Sequence, residues 1–257
     1  MKLAISGKGG VGKSTLAAAF SMMMAQRGRN VLAVDADPDA NLAGALGMTR
    51  EEQDKIIPIS EQKALVEERT GAKVKQYGQM FKLNPEVADI ADTYAYKQKG
   101  VSLVVLGAAE EGGGGCACPE SVLLRALVTD LVLFKDDALV MDMEAGVEHL
   151  GRATVRGVDV LLIVVEPGQN SIDCANRVIR MAAEIGLTNV QIIANKVESP
   201  EDEAFIRKAL PECPFLGAIP YVSAIRRADR DGQTILDAVD ADLTAKLEEM
   251  LNKLEAN

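Results

Sequence analysis

The residues with the clearest chemical potential lie at positions 7–15, where the sequence reads Gly-Lys-Gly-Gly-Val-Gly-Lys-Ser-Thr after a short apolar run. This is the spacing of a phosphate-binding loop, G-x-x-x-x-G-K-[ST], in which glycines let several backbone N–H groups face one anion. Lys13 adds a positive charge beside the β- and γ-phosphates, Ser14 offers a hydroxyl to Mg²⁺, and the helix that begins there directs its positive end towards them. We therefore predict a nucleotide site that includes Gly9, Gly10, Val11, Gly12, Lys13, Ser14 and Thr15.

Carboxylates at the ends of two other apolar runs form a second group of candidates. Asp35 and Asp37 follow the run at 31–34, and Asp142 ends the run at 138–141. Doubly wound sheets bind their ligands at the carboxyl ends of the strands, so these side chains are expected beside the phosphate loop. Asp142 is the candidate for a Walker-B carboxylate in the water shell of magnesium, and Asp35 is a weaker candidate for the same shell. The alternative for the first pair is a solvated turn, which Asp-Pro sequences favour.

Two cysteines, Cys116 and Cys118, flank one alanine after four consecutive glycines, and Pro119 and Glu120 follow them. Proline and an acidic residue suit the first turn of a helix, so both thiols are expected at a helix N-terminus, where a thiolate is stabilised. A tetrahedral metal site takes four ligands, and this pair offers only two sulfurs. A twofold dimer supplies the other two, which predicts one metal ion held between two subunits. Two buried thiols or a redox pair remain the alternatives.

The elements that must position these residues read as alternating strands and helices. Short apolar runs predict buried parallel strands, and stretches with apolar residues at helical spacing lie between them. The predicted fold class is α/β, a three-layer, doubly wound and mostly parallel sheet of the P-loop NTPase type. The whole chain, 1–257, is predicted to be a single domain with a family-specific insertion around 50–98, where no chemical motif is visible.

Composition limits the partners that the chain can attract. Its 28 Lys and Arg against 38 Asp and Glu give a net charge of −10, which repels nucleic acid and anionic lipid. Aromatic residues make up only 4% and tryptophan is absent, which argues against a base-stacking surface. No apolar run approaches the roughly 18–20 residues of a membrane span, and no export signal is visible. We expect a cytoplasmic protein with no nucleic-acid or membrane partner, whose four cysteines form no disulfide framework.

The loop contains a second lysine, Lys8, that phosphate binding itself does not require. With it, residues 8–14 resemble the deviant phosphate loop of the dimeric ATPases related to nitrogenase iron protein and to the septum-site and chromosome-partitioning ATPases. The resemblance implies that Lys8 reaches the nucleotide of the opposing subunit, so that the protein is a homodimer when ATP is bound. It also implies that Asp37 orients the attacking water and that Asn195 and Pro220 belong to the elements that bind the purine.

Two further segments narrow the resemblance. Gly-Gly-Cys-Ala-Cys-Pro-Glu at 114–120 and Asp-Met-Glu-Ala-Gly-Val-Glu-His-Leu-Gly-Arg at 142–152 are similar to the nickel-insertion ATPases that mature carbon monoxide dehydrogenase and acetyl-CoA synthase. This similarity implies an Mg²⁺-dependent ATPase and metallochaperone, with ATP, Mg²⁺ and Ni²⁺ (or Zn²⁺) as ligands and a nickel metalloenzyme as client. Hydrolysis is expected to reach the thiols through the helix that joins the two segments. For His149 we favour a structural or interface role over metal binding.

Other functions remain open at this point. A partitioning or positioning ATPase of the same superfamily would bind DNA or membrane and transfer no metal, and the net charge and the C-x-C pair speak against it. An iron–sulfur cluster bridging two subunits would use the same thiolates. Spacing alone does not choose the metal, ATP over GTP, or carbon monoxide dehydrogenase over acetyl-CoA synthase as the client.

Overall fold

The strands of the protein come together in one central sheet. The computed structural model describes residues 1–73, 78–108, 118–136, 138–147, 150–151 and 154–256. Its strands are β1 (Lys2–Gly7), β2 (Val31–Asp35), β3 (Tyr96–Gln98), β4 (Val101–Val105), β5 (Ala138–Asp142), β6 (Val160–Val165), β7 (Val190–Val197) and β8 (Phe215–Pro220). Within the described ranges these eight strands lie in the order β3-β4-β2-β5-β1-β6-β7-β8.

Helices connect the strands and cover the sheet. They are α1 (Lys13–Gln26), α2 (Leu42–Ala45), α3 (Arg50–Gln53), α4 (Lys63–Thr70), α5 (Ile90–Tyr94), α6 (Pro119–Phe134), α7 (Gln169–Ile185), α8 (Pro200–Ala209), α9 (Ser223–Arg230), α10 (Ile235–Ala238) and α11 (Ala241–Ala256). Short 3-10 helices occur at Ile59–Glu61 and Val155–Gly157. None of the helices in the described ranges combines the length and apolar character that crossing a bilayer requires.

The paired strands run parallel, with one exception at the edge, where β3 is antiparallel to β4. Strands such as β2, β5 and β6 are buried along their whole length, which explains their continuous apolar sequences. The predicted fold class is confirmed: the protein is α/β with a mostly parallel, doubly wound sheet between helical layers.

Hydrophobic side chains form a core on each face of the sheet. Along β1 the side chains alternate, so that Leu3 and Ile5 belong to one cluster and Ala4 to the other. The first cluster includes buried residues of α1 and α11, and the second includes residues of α6, α7 and α8. The apolar face of the C-terminal helix α11 therefore packs on its own sheet.

The stretch predicted to be an insertion, 50–98, contributes α3, α4, α5 and the edge strand β3. The antiparallel pairing places Tyr96 opposite Leu103 of β4, so this stretch extends the sheet at one side. Its status as an insertion specific to one family stays a prediction.

The register of the parallel strands brings the candidate residues to one edge. Asp35 and Asp142 are partners at the ends of β2 and β5, Gly7 is the partner of Val164, and Val165 is the partner of Ala194. Because the carboxyl ends of parallel strands meet at the same edge, the residues that follow β1, β2, β5, β6 and β7 surround one point.

Candidate nucleotide-binding site

The glycine-rich loop between β1 and α1 has a backbone that only small residues permit. Gly12 has a φ of 100°, and a Cβ atom added to it would lie 2.5 Å from Nδ2 of Asn195. A Cβ atom on Gly7 would lie 2.4 Å from the carbonyl oxygen of Val164. The helix begins directly afterwards, and the N–H of Leu16 donates to the carbonyl of Gly12 at 3.1 Å. The loop is thus pressed against the ends of β6 and β7.

Two side chains at the end of β7 hold carbonyl groups of this loop. Nδ2 of Asn195 donates to the carbonyl of Val11 at 2.6 Å, and Nζ of Lys196 donates to that of Gly10 at 2.6 Å. In a trans peptide the C=O and the following N–H point in opposite directions, so the N–H groups of Val11 and Gly12 are turned away from these two side chains. The N–H of Val11 donates to the carbonyl of Lys8 at 3.3 Å. These two contacts, of Asn195 with Val11 and of Lys196 with Gly10, are called the β7 clamp below, and they fit the predicted anion cradle.

Lys13 is the first residue of α1, and its side chain is only 6% exposed. Its Nζ lies 3.7 Å from Oδ2 of Asp37 and 3.5 Å from the carbonyl of Lys8. The structure therefore brings together the lysine predicted to bind phosphate and the aspartate predicted to orient water.

Asp35, at the end of β2, is fully buried and braces the loop that contains Asp37. Its carboxylate accepts hydrogen bonds from the N–H of Leu42 at 2.9 Å and from the N–H of Asp37 at 3.3 Å. Burial raises the pKa of Asp35 to about 6, and these N–H donors oppose the shift. This pattern indicates that Asp35 shapes the turn as well as adding charge to the site.

Asp142, its partner in β5, is also fully buried, and neither of its carboxylate oxygens has a hydrogen-bond partner among the described residues. Burial and the charge of Asp35 raise its pKa to about 7, while Ser14 and Lys13 act in the opposite direction. Ser14 is close enough to lower the pKa, although it forms no regular hydrogen bond with either oxygen. A buried, unpartnered carboxylate near a hydroxyl suits a hard divalent cation and its water shell. Ser14 and Asp142 therefore fit Mg²⁺.

The segment that follows β5 is attached to β1. The hydroxyl of Ser6 donates to the carbonyl of Glu144 at 2.6 Å and lies 3.0 Å from the carbonyl of Gly146. The N–H of Met143 donates to the carbonyl of Ile5 at 2.9 Å. Residues 143–146 are thus joined to the strand that carries the phosphate loop.

Cys118 occupies the N-cap of α6, as the sequence predicts. Its sulfur accepts the N–H of Ser121 at 3.4 Å and lies 3.0 Å from the hydroxyl of that residue. Cys116 and His149 lie outside the described residues. Within the described ranges, no three His, Cys, Asp or Glu side chains converge in a metal-binding arrangement. Burial raises the pKa of the Cys174 and Cys213 thiols.

Lys8 and Pro220 stand at the periphery of the site. Nζ of Lys8 is 3.3 Å from Oε1 of Glu166, and the lysine side chain is 41% exposed. Pro220 ends β8 as the register partner of Val197, two residues beyond Asn195. The N–H of Tyr221 donates to the carbonyl of Val197 at 3.0 Å. The two segments predicted to bind the purine are therefore neighbours.

Comparison with known proteins identifies the family. Residues 2–235 match the family model described as the CobQ/CobB/MinD/ParA nucleotide binding domain. The chain belongs to this family. It is 41% identical over 237 residues to the carbon monoxide dehydrogenase accessory protein CooC of Rhodospirillum rubrum, an alignment that covers 92% of the chain and 90% of that protein. It is also 40% identical to an uncharacterised ATP-binding protein of Methanocaldococcus jannaschii, over 98% of the chain and 96% of the relative.

Solved structures of the CobQ/CobB/MinD/ParA type share the fold. The cell division protein MinD of Aquifex aeolicus superimposes with a TM-score of 0.66 at 22% identity, covering 100% of this chain and 98% of that one. MinD of Pyrococcus horikoshii, solved with Mg-ADP, gives a TM-score of 0.67 at 22% identity, with coverage of 99% and 96%. At these identities the likeness concerns the fold alone.

The sequence did not single out Glu166, and Lys196 was expected only as the neighbour of Asn195 in the segment that binds the purine. Lys196 has a left-handed φ of 59°, unusual for a non-glycine residue, and its side chain reaches back over the loop. Glu166 directly follows the apolar strand β6, so it lies one residue beyond a strand end, whereas Asp142 is the last residue of β5. The rule that a carboxylate at the end of a buried strand faces the ligand would have singled it out.

Proposed function

We propose that this chain is an Mg²⁺-dependent ATPase that assists the maturation of carbon monoxide dehydrogenase or acetyl-CoA synthase by delivering nickel. The observation that carries the proposal is the 41% identity to a carbon monoxide dehydrogenase accessory protein along 92% of the chain. The C-x-C pair at 116 and 118 supports the same function, because thiolates are suitable ligands for a nickel cargo.

The site supports hydrolysis by positioning and charge neutralisation. Loop N–H groups, turned inward by the β7 clamp, and the buried ammonium of Lys13 bind the phosphates. Asp37 holds the water, and the 3.7 Å distance between its carboxylate and Nζ of Lys13 supports a joint action of the two groups on one phosphate. Ser14 and Asp142 would hold Mg²⁺, which would neutralise phosphate charge.

The metal and the nucleotide are coupled in the proposed mechanism through the dimer. Lys8 reaches the nucleotide of the opposing subunit, and two copies of Cys116 and Cys118 hold one nickel ion between the subunits. Cys118 begins α6, and β5 follows that helix in the chain and ends at Asp142. The state of the nucleotide therefore reaches the thiols through one helix and one strand.

The decisive experiment combines nucleotide, nickel and client. Anaerobic protein with Mg²⁺ and a non-hydrolysable ATP analogue should sediment as a dimer and retain one nickel per two chains. With ATP, it should then activate nickel-free carbon monoxide dehydrogenase faster than free nickel at the same concentration does. A dimer that binds nickel without activating this enzyme or nickel-free acetyl-CoA synthase would contradict the assigned client class.

The same preparation tests the rival functions. Sedimentation of the ATP-bound chain with anionic vesicles or DNA would favour a positioning or partitioning role. A brown protein with broad visible absorbance would indicate an iron–sulfur cluster on the thiolates.

A further inference from the structure

Glu166 lies between the phosphate loop and the end of β7. Its position follows from the register, because Val164 is the partner of Gly7 and Val165 is the partner of Ala194. The N–H of Glu166 donates to the hydroxyl of the buried Ser171 at 3.1 Å, which fixes the backbone where α7 begins. The side chain consequently emerges beside the loop from a well-anchored backbone.

The carboxylate of Glu166 joins two ammonium groups. Its Oε1 lies 3.3 Å from Nζ of Lys8, and its Oε2 lies 3.3 Å from Nζ of Lys196. Lys196 in turn holds the loop carbonyl of Gly10. Binding of phosphate does not require a carboxylate here, since its negative charge opposes that of the nucleotide. Its contacts point instead to a role in placing the two lysines.

Lys8 cannot contact Glu166 of its own subunit and the nucleotide of a second subunit at the same time. While its ammonium contacts Glu166, the side chain is directed at its own subunit, and it cannot reach the nucleotide of a second subunit. We propose that Glu166 is a positioning residue that retains Lys8 in the nucleotide-free subunit and releases it when the ATP-bound dimer forms. This inference rests on the proposed nucleotide-gated dimer.

The solvent exposure of Lys8, Lys196 and Glu166 determines how strongly their ion pairs can change the dimer dissociation constant. Lys8 is 41% exposed, Lys196 38% and Glu166 26%, so water screens both contacts. An ion pair of this kind biases an equilibrium by about two- to fivefold. Each dimer breaks two such contacts, which makes the combined effect on the dimer dissociation constant roughly four- to twenty-fivefold. The ion pair between Lys8 and Glu166 is thus weak enough for Lys8 to exchange it for a triphosphate. It is also strong enough to raise the dimer dissociation constant measurably.

Sedimentation equilibrium with Mg²⁺ and a non-hydrolysable ATP analogue tests this role in four variants. Glu166→Gln should lower the dimer dissociation constant roughly four- to twenty-fivefold, because Lys8 is no longer retained. Lys8→Ala should weaken the dimer, and Glu166→Gln added to Lys8→Ala should change the dimer dissociation constant much less than Glu166→Gln does alone. The matched control is Glu203→Gln, which removes the same charge from an exposed ion pair with Arg207 on α8 and should behave as the unmodified protein.

A weaker or unchanged dimer in Glu166→Gln, with Lys8→Ala defective, would overturn the positioning role and leave the gated dimer intact. A dimer that forms equally well with Lys8→Ala would overturn the gating and the role of Glu166 together. Competitive acetylation of the nucleotide-free protein, read by mass spectrometry, checks the contact without any dimer. Lys8 should react faster in Glu166→Gln relative to the exposed Lys246, and an unchanged ratio would overturn the contact.

Discussion

Asp35 and Asp142 are register partners at the ends of β2 and β5, and both carboxyl groups are fully buried. Burial raises the pKa of Asp35 to about 6 and that of Asp142 to about 7, and the charge of Asp35 adds to the shift at Asp142. Two adjacent buried carboxylates destabilise the fold when both are ionised. The site therefore contains two carboxylates whose mutual repulsion destabilises the fold, and a bound cation would offset that repulsion.

Replacing Asp142 with asparagine should stabilise the nucleotide-free protein at alkaline pH. This carboxyl titrates at 3.8 in the unfolded chain and at about 7 in the folded one, so the free energy of unfolding falls as pH rises between those values. The shift corresponds to at most about 4 kcal/mol. In urea denaturation, the advantage of Asp142→Asn should be small near pH 4, grow towards pH 7 and stay constant above it.

The control for this measurement is Asp54→Asn, which removes an exposed carboxylate at the end of α3. Its free energy of unfolding should differ from that of the unmodified protein by less than about 0.5 kcal/mol at every pH. Loss of stability in Asp142→Asn at pH 8 would show that the ionised carboxylate already has a compensating partner without nucleotide.

Asp37→Asn should separate binding of ATP from its hydrolysis. In the nucleotide-free protein the carboxylate lies 3.7 Å from Nζ of Lys13, so its removal leaves the lysine free for phosphate. Nucleotide affinity, measured by calorimetry, should be unchanged or higher, while the rate of phosphate release falls about a hundredfold. Asp39→Asn, on the same exposed turn, should keep the normal rate. An equal fall in the rate of phosphate release in both variants would indicate that hydrolysis depends on the conformation of the turn and not on the carboxylate of Asp37.

Gly12→Ala should abolish nucleotide binding in a protein that still folds. The added Cβ would lie 2.5 Å from Nδ2 of Asn195, at a backbone φ of 100° that alanine rarely adopts. The hydrogen bond from Asn195 to the carbonyl of Val11 must then break. We expect the affinity for nucleotide to fall at least about a hundredfold, which corresponds to roughly 3 kcal/mol of binding free energy. Gly168→Ala is the matched control, because its φ is extended and its Cβ meets nothing within 4 Å. Normal binding in Gly12→Ala would contradict the role of the clamp.

The fold was predictable because its signals are local. The apolar run at 160–165 coincides with β6, and the prediction that α6 begins at Pro119 is confirmed by the cap at Cys118. Proline at the first position and a side-chain acceptor before it determine that start without help from distant residues. The antiparallel strand β3 and the short helices α3 and α5 were not predicted, because tertiary packing decides such short elements.

The site was only partly predictable, because much of it depends on register. The phosphate loop and the aspartates at strand ends are visible as motifs, and the structure brings Lys13 to Asp37 and Asp35 to Asp142. The bridge from Lys8 through Glu166 to Lys196 involves the ends of three strands, and its first two members are 158 positions apart in the sequence. The position of Glu166 after a buried strand places it at the ligand edge of the sheet, but the sequence does not show that its carboxylate pairs with these two lysines.

Cys118→Ser offers the sharpest test of the metal site, because it should separate metal binding from folding. Serine is a good N-cap residue and can accept the N–H of Ser121 as the cysteine sulfur does, so α6 should keep its start and stability should change by less than about 1 kcal/mol. Nickel bound to the dimer with an ATP analogue should fall from one ion per two chains to none. Anaerobic gel filtration followed by metal analysis measures this ratio.

The matched control is Cys213→Ser, which removes a half-buried thiol that packs beside the core of α8 and β8 and is far along the chain from α6. It should retain one nickel per two chains. If Cys118→Ser binds nickel as well as the control does, the ion is held elsewhere. If both variants lose it, the loss follows from altered folding and not from a missing ligand. Only loss confined to Cys118→Ser, with unfolding unchanged, assigns that thiolate to the shared metal site, because the serine hydroxyl replaces the cap but is a poor ligand for nickel.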